Sequence, residues 1–65
     1  EGAQMTWLFI AYFLSSGQYT QEFATLEDCE GVMIEAQIVK GPDLWTAVCI
    51  GPDDQVAVSF GELAP

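Results

Sequence analysis

Residues 5–15 open the hydrophobic pattern of the chain, and the run "WLFIAYFL" within them is apolar at both alternating sets of positions. A strand with one face in water alternates apolar and polar residues, whereas a strand covered on both faces does not. Residues 15–18, Ser-Ser-Gly-Gln, then mark a turn. The pattern predicts a β-strand at the centre of a sheet. One of its faces carries Trp7, Phe9, Ala11 and Phe13, and the other carries Leu8, Ile10, Tyr12 and Leu14.

Residues 19–23, "YTQEF", alternate in polarity. Tyr19, Gln21 and Phe23 share one face of an extended chain, and Thr20 and Glu22 share the other. This is the pattern of a strand with one face in water. It predicts the second strand of a hairpin, nearer the edge of the sheet.

A helix is predicted from Thr25 to about Lys40. Thr25 is a favourable N-cap, and Asp28 stands three residues later, as in a capping box. Gly31 costs about 1 kcal/mol relative to alanine unless it allows the helix to approach the sheet closely. The sequence "GPD" at residues 41–43 ends the helix. Its apolar stripe consists of Leu26, Cys29, Met33 and Ala36, with Val32 and Val39 beside it.

Two further strands complete the pattern. Residues 44–50, "LWTAVCI", and residues 55–60, "QVAVSF", flank the turn sequence "GPDD". The later strand alternates, with Val56, Val58 and Phe60 on one face.

The order predicts a small α+β domain of ββαββ type, with one helix on one face of a mostly antiparallel sheet of three to four strands. We expect a single domain over residues 5–60 with Met5 as the natural start. Residues 1–4 are interpreted as an artificial extension or a disordered segment, and residues 61–65 as a loose tail.

The composition is that of a folded and strongly acidic domain. The chain has 65 residues, of which 51% are hydrophobic and 12% aromatic, and its net charge is -9. Lys40 is the only cation, which argues against direct binding to nucleic acids or to anionic membranes. The run at residues 5–14 is also too short to span a bilayer. A basic protein is the partner that this charge favours, unless the charge only maintains solubility.

Catalytic groups are scarce in this sequence. It has no histidine, no Ser-His or Cys-His pair, no glycine-rich phosphate loop and no arginine. Asp53 and Asp54 are explained by the turn in which they lie. Two cysteines without histidine do not complete a tetrahedral zinc site. We therefore expect no enzyme, no cofactor, no metal and no small-molecule substrate.

Cys29 and Cys49 form the sharpest candidate pair. Cys29 falls on the apolar stripe of the helix and Cys49 on the third strand, so a disulfide between helix and sheet is geometrically natural. Closing a loop of this length stabilises a fold by about 3 kcal/mol in the chain-entropy model. The alternative is two buried thiols that act as small hydrophobic side chains.

Two candidate surfaces follow from the pattern. One helix covers one face of a four-stranded sheet, so an apolar second face is left for self-association or for another protein. The candidate residues of this dimer or interaction face are Trp7, Phe9, Ile10, Tyr12, Phe13 and Trp45. The helix carboxylates form the second candidate, a face for a basic partner, or else simply a solvated helix surface. They are Glu27, Asp28, Glu30 and Glu35.

Across residues 5–60 the chain resembles small acidic phage-encoded proteins. The resemblance is carried by the opening strand "WLFIAYFL", the helix start "EFATLEDCE" and the late strand "TAVCI". In size, charge and hairpin–helix–strand order the chain is similar to the short phage inhibitor of bacterial RNA polymerase. This resemblance implies that acidic and strand-borne residues occupy a basic surface of a host enzyme. It assigns no role to a single residue.

Together these observations predict a non-enzymatic interaction protein. We expect a homodimer through the apolar sheet face and a phage-type binder or inhibitor of a basic host protein through the acidic helix. The alternative is a structural or assembly subunit that docks by its apolar sheet face and inhibits nothing. We expect a soluble protein, in the cytoplasm of a bacterial host rather than secreted.

Overall fold

The structure, a computed structural model, describes residues 6–61 and has the predicted ββαββ order. A short 3-10 helix at Gly41–Asp43 links the α-helix to the third strand. Gly61, predicted as the start of a loose tail, belongs to the last strand, while residues 1–4 and 62–65 lie outside the described residues. The elements are β1 at Trp7–Phe13, β2 at Gly17–Phe23, α1 at Leu26–Val39, β3 at Leu44–Ile50 and β4 at Val56–Gly61.

The four strands form one sheet in the order β2-β1-β3-β4, and every neighbouring pair is antiparallel. The predicted central position of the first strand is therefore confirmed. Because β1 is antiparallel to both β2 and β3, those two strands run parallel to each other. The connection through α1 thus crosses over β1, as in a split βαβ unit.

The hydrophobic core lies between α1 and one face of the sheet. Phe9 and Ala11 of β1 face Ala47 and Cys49 of β3 across the ladder, and all four side chains are buried. From the helix, Cys29 and Met33 complete this layer, and Leu44 closes one end. The odd-numbered positions of β1 therefore face the helix, which the sequence pattern alone left undecided.

The ends of α1 are those that the sequence predicts. The backbone N–H of Asp28 donates to Thr25 Oγ1 at 3.1 Å, and Lys40 is the C-cap residue. Val39, placed beside the apolar stripe, is 68% exposed because the helix has passed the end of the core there. The stripe is otherwise confirmed. Cys29 and Met33 are buried, and Leu26, Val32 and Ala36 pack against the core.

Asp43 ties the β1–β2 turn to the segment after the helix. Its carboxylate accepts hydrogen bonds from the backbone N–H of Ser15 (2.9 Å) and from Ser15 Oγ (2.7 Å). Its carbonyl accepts a third bond from the N–H of Leu14 at 2.8 Å. The end of the hairpin is thereby held beside the C-terminal end of α1.

The last strand differs from its predicted alternation. Val58 and Phe60 pack against the core, but Val56 is 53% exposed. The ladder between β3 and β4 shifts register between Cys49 and Ile50, so Val56 pairs with Ile50 and leaves the line of the other two side chains. Such an irregularity depends on pairing between strands, which residue alternation within one strand does not report.

Gly31 lies on the exposed side of α1, so of its two predicted alternatives the close approach to the sheet does not apply and the weakening of the helix remains. A Cβ built at this position meets nothing within 4 Å. We expect Gly31→Ala to stabilise the protein by about 1 kcal/mol, because alanine loses less backbone entropy in a helix. For a domain of this size that raises Tm by roughly 4–8 °C in a thermal melt. Gly17→Ala is the matched control, and a rise of Tm there or none at Gly31 would contradict this account, since Gly17 has φ +87°.

Candidate interaction surfaces

The sheet face opposite α1 carries an apolar centre. We call it the open face and define it by six residues of β1 and β3. Directly paired residues point to the same side of a sheet, so the register places Ile10 beside Val48 and Leu8 beside Ile50. These six residues are Leu8, Ile10, Tyr12, Trp45, Val48 and Ile50.

Two aromatic side chains stand out from the open face. Trp45 is 52% exposed and Tyr12 is 39% exposed, and their rings contact edge to face with centroids 6.3 Å apart. Trp45 reaches this side because the β1–β3 ladder shifts register between Tyr12 and Phe13. Within residues 6–61 the only α-helix packs on the other face of the sheet.

The border of the open face is mostly polar and nearly uncharged, with Val56 of β4, which pairs with Ile50, as an apolar exception. Thr20 and Glu22 of β2 lie beside Ile10 and Leu8, and Ser59 of β4 lies beside Val48. The chain has ten acidic residues, of which two lie outside residues 6–61. Among the others, Glu22 is the only one that the strand register places on this face. The open face is thus the part of an acidic molecule with the least charge.

The residues predicted for the dimer face fall on two different sides of the sheet. Ile10, Tyr12 and Trp45 lie on the open face. Phe9, with an exposed fraction of 1%, belongs to the core, and Trp7 and Phe13 pack against that core on the helix side. A strand that is apolar at both parities gives no sign of which parity its own helix covers. Leu8, Val48 and Ile50 belong to the open face and were not among the predicted residues.

The four candidate carboxylates of α1 do not share one side of the helix. At 3.6 residues per turn, Asp28 and Glu35 lie along one flank, and Glu30 lies along the opposite flank. Glu27 points outward between them, beside Ile34 and Ile38, which are 58% and 76% exposed. The acidic helix therefore presents two flanks separated by an apolar strip.

A cleft opens between α1 and the β2 side of the sheet. Its volume is about 510 Å³, within the range of ligand pockets. We call it the aromatic cleft, because three rings from β1 and β2 form its floor. It is lined by Phe9, Phe13, Gln18 and Tyr19 on the sheet, by Val32, Glu35, Ala36 and Val39 on the helix, and by Ser16 and Lys40.

The rings of the aromatic cleft hold one another in place. Tyr19 contacts Phe9 and Phe13 edge to face, with centroids 6.2 and 6.4 Å apart. The Tyr19 hydroxyl donates to the side-chain oxygen of Gln21. Lys40 Nζ lies 5.8 Å from the centroid of the Phe13 ring, a cation–π contact. The one cation of the chain thus sits on an aromatic surface of this cleft.

Cys29 and Cys49 are brought together as the sequence predicts. Their sulfur atoms lie within disulfide-bonding distance, with the Cα atoms 6.2 Å apart. Both side chains are fully buried. The pair links the helix to the central strand β3 in the middle of the core.

Metal and membrane sites find no support in the described part of the chain. Residues 6–61 contain no group of three or more histidine, cysteine or acidic side chains placed to hold a metal ion. No helix among them is long and apolar enough to cross a membrane.

Comparison of this chain with protein-family models, with curated proteins and with solved structures finds no match. The resemblance to small acidic phage proteins therefore stays a prediction. Any function has to be argued from the surfaces themselves.

The sequence did not reveal the aromatic cleft. Its floor joins residues from two strands, and its wall is the helix flank beside the core stripe, including Ala36 of that stripe. One signal was available, because Val32, Glu35 and Val39 recur at helical spacing beside the predicted stripe. What lies opposite that flank depends on the strand order.

Proposed function

We propose that this protein is a non-enzymatic interaction protein that self-associates through its open face into a two-fold dimer. The observation that carries the proposal is the apolar centre of that face, which two central strands form. Its most exposed aromatic side chains are Trp45 and Tyr12. An apolar patch of this kind on a small domain marks an interaction surface. Two such sheets stack about 10 Å apart with their side chains interdigitated.

The distribution of charge favours a second copy on this face. Each copy carries a net charge of -9, so two copies repel each other wherever acidic surfaces meet. Face-to-face stacking of the sheets places both α1 helices on the outside of the dimer. Glu27, Asp28, Glu30 and Glu35 of one copy are then separated from those of the other by two sheets. Glu22, on strand β2 at the border of the open face, is the carboxylate that the strand register places nearest to the contact.

The size of the face limits the area that a dimer can bury. Four strands at about 4.8 Å spacing and seven residues at about 3.3 Å each give roughly 440 Å² of flat area per sheet. The two partners together then bury roughly 900 Å², and more once the relief of the side chains is counted. This is near the lower limit of about 1,000 Å² for specific interfaces. We therefore expect a reversible dimer with a Kd in the micromolar range.

Light scattering on a size-exclusion column tests this proposal. The monomer mass is 7.1 kDa. We expect the mass to approach twice that value as the loaded concentration rises through the micromolar range. We also expect the dimer to persist or tighten at high salt, because salt screens the repulsion between like charges and leaves the hydrophobic contact.

Two results would overturn the proposal. A mass of one chain at every concentration would show that the open face does not bind a second copy. A dimer that dissociates as salt rises would indicate a contact held by opposite charges, which two copies of this nearly uncharged open face do not provide.

A further inference from the structure

We propose that the aromatic cleft is a binding site for the cationic side chain, arginine or lysine, of a basic peptide or protein segment. The cleft lies on the helix side of the sheet, and the open face lies on the other side. Binding at the cleft therefore does not depend on the dimer, and an experiment can refute one of the two proposals without refuting the other. The proposal rests on the shape of the cleft, on its aromatic floor and on the position of its charges.

The walls of the cleft match the two chemically different parts of such a side chain. Val32, Ala36 and Val39 form an apolar wall along which the methylene groups of lysine or arginine pack. Phe13 and Tyr19 line the cleft on the other side, and Tyr19 is 45% exposed. An ammonium or guanidinium group over an aromatic face within about 6 Å is attracted by the ring quadrupole.

The chain's own lysine already uses this surface in the proposed way. Lys40 lines the cleft, and its Nζ stands 5.8 Å from the Phe13 centroid. Lys40 is exposed and its side chain has four rotatable bonds, so an incoming cation can displace it. In the free protein Lys40 then acts as a weak internal competitor for the site.

The remaining charges select a cationic rather than an anionic occupant. Glu35 lines the cleft, and Asp28 continues the same flank of α1 two turns earlier. The cleft also lies beside the C-terminal half of the helix, where the helix dipole is negative. The net charge of -9 of the whole chain adds to the field of these groups. The cleft therefore attracts basic segments and repels carboxylates and phosphates.

The probe is a blocked five-residue peptide, acetyl-Gly-Arg-Ala-Arg-Gly-amide, titrated into the full chain while the ring resonances of Phe13 and Tyr19 are followed by NMR. The control peptide replaces both arginines with citrulline, which has the same shape and no charge. We expect the arginine peptide to shift these resonances with a Kd below about 1 mM at low salt. A fourfold rise of salt should weaken this binding several-fold. The citrulline peptide should bind at least 10-fold more weakly.

Variants locate the site. We expect Glu35→Gln to weaken binding of the arginine peptide at least 5-fold, and Tyr19→Ala to do the same. Asp53→Asn makes the same change of charge in the β3–β4 turn, away from the cleft, and should alter the Kd less than 2-fold. Lys40→Gln should strengthen binding about 3-fold, because it removes both a like charge and the internal competitor.

Three outcomes would overturn the proposal. Equal effects of Glu35→Gln and Asp53→Asn would mean that only the overall charge attracts the peptide. Equal binding of the citrulline peptide would make the cleft an apolar site without selectivity for cations. Absence of any shift at Phe13 and Tyr19 would show that basic side chains do not enter. Repeating the titration in an Ile10→Asp background keeps the result separate from self-association.

Discussion

Ile10→Asp is expected to leave the protein folded and to make it monomeric. Ile10 lies at the centre of the open face, between Thr20 on one side and Val48 on the other. In a two-fold dimer the substitution places one carboxylate from each copy in the contact, away from water and without a cationic partner. Each such burial costs several kcal/mol unless the group is protonated. We expect the Kd of dimerisation to rise at least 100-fold, which corresponds to about 2.8 kcal/mol.

Thr20→Asp is the matched control for this variant. It adds the same charge in the same row of the sheet, but at the polar border on edge strand β2. A charge at the rim of an interface stays solvated, so we expect the Kd to change less than 5-fold. Mass measured by light scattering, together with circular dichroism on both variants, separates loss of association from loss of fold. A folded Ile10→Asp protein that still dimerises like the parent would place the interface elsewhere.

Phe9→Asp does not serve as a test of the same surface. The sequence pattern suggests it as readily as Ile10→Asp, since both residues belong to one apolar strand. Phe9 is 1% exposed, however, because it lies on the central strand β1 and faces the helix α1. A carboxylate at that position enters the core of the monomer, so the expected result is unfolding rather than dissociation.

Removal of the link between Cys29 and Cys49 is expected to lower the free energy of unfolding by about 3 kcal/mol. The two residues are 20 positions apart, and the chain-entropy model gives that value for a loop of this length. A domain of 65 residues has roughly 3–10 kcal/mol in total, so a large share of its stability depends on this one bond. Urea unfolding with and without reductant measures the difference, with an expected fall of the midpoint by about 3 M.

Alkylation in denaturant establishes the starting state for that comparison. Protein unfolded without reductant should take up no alkyl group at either cysteine, and protein unfolded after reduction should take up one at each. The double variant Cys29→Ala with Cys49→Ala should unfold near the midpoint of the reduced parent. Full alkylation of the unreduced protein, or an unchanged midpoint after reduction, would mean that the two cysteines act only as small buried side chains.

The proposed surfaces divide the molecule by chemistry. The open face is apolar and nearly free of charge, which suits a second copy of an acidic chain. The aromatic cleft combines rings, an alkyl wall and carboxylates, which suits a basic side chain. The predicted partner face along α1 becomes narrower as a result, because Glu35 lines the cleft and Asp28 lies on the same helix flank, while Glu27 and Glu30 point away from it.

The sequence by itself determined most features that depend on neighbours along the chain, although the 3-10 helix at Gly41–Asp43 and the start of β2 at Gly17 were not predicted. Capping by Thr25, the predicted turns at residues 15–18 and 51–54, and the helix end at Lys40 follow from short-range backbone chemistry. The alternation of "YTQEF" and the doubly apolar β1 predicted an edge strand and a central strand, and both occupy those places in the sheet. The pairing of Cys29 with Cys49 was also foreseeable, because both fall on core-facing positions.

Only the tertiary structure decided which side chains face the helix, how the strands pair and which elements meet at the cleft. A strand that is apolar at both parities has two equivalent faces until a helix packs on one, so Phe9 and Ile10 were indistinguishable in the sequence. The register shifts that turn Trp45 outward and take Val56 from the core exist only between paired strands. The aromatic cleft joins three separate elements, and it forms because α1 crosses β1 and leaves the β2 side of the sheet open.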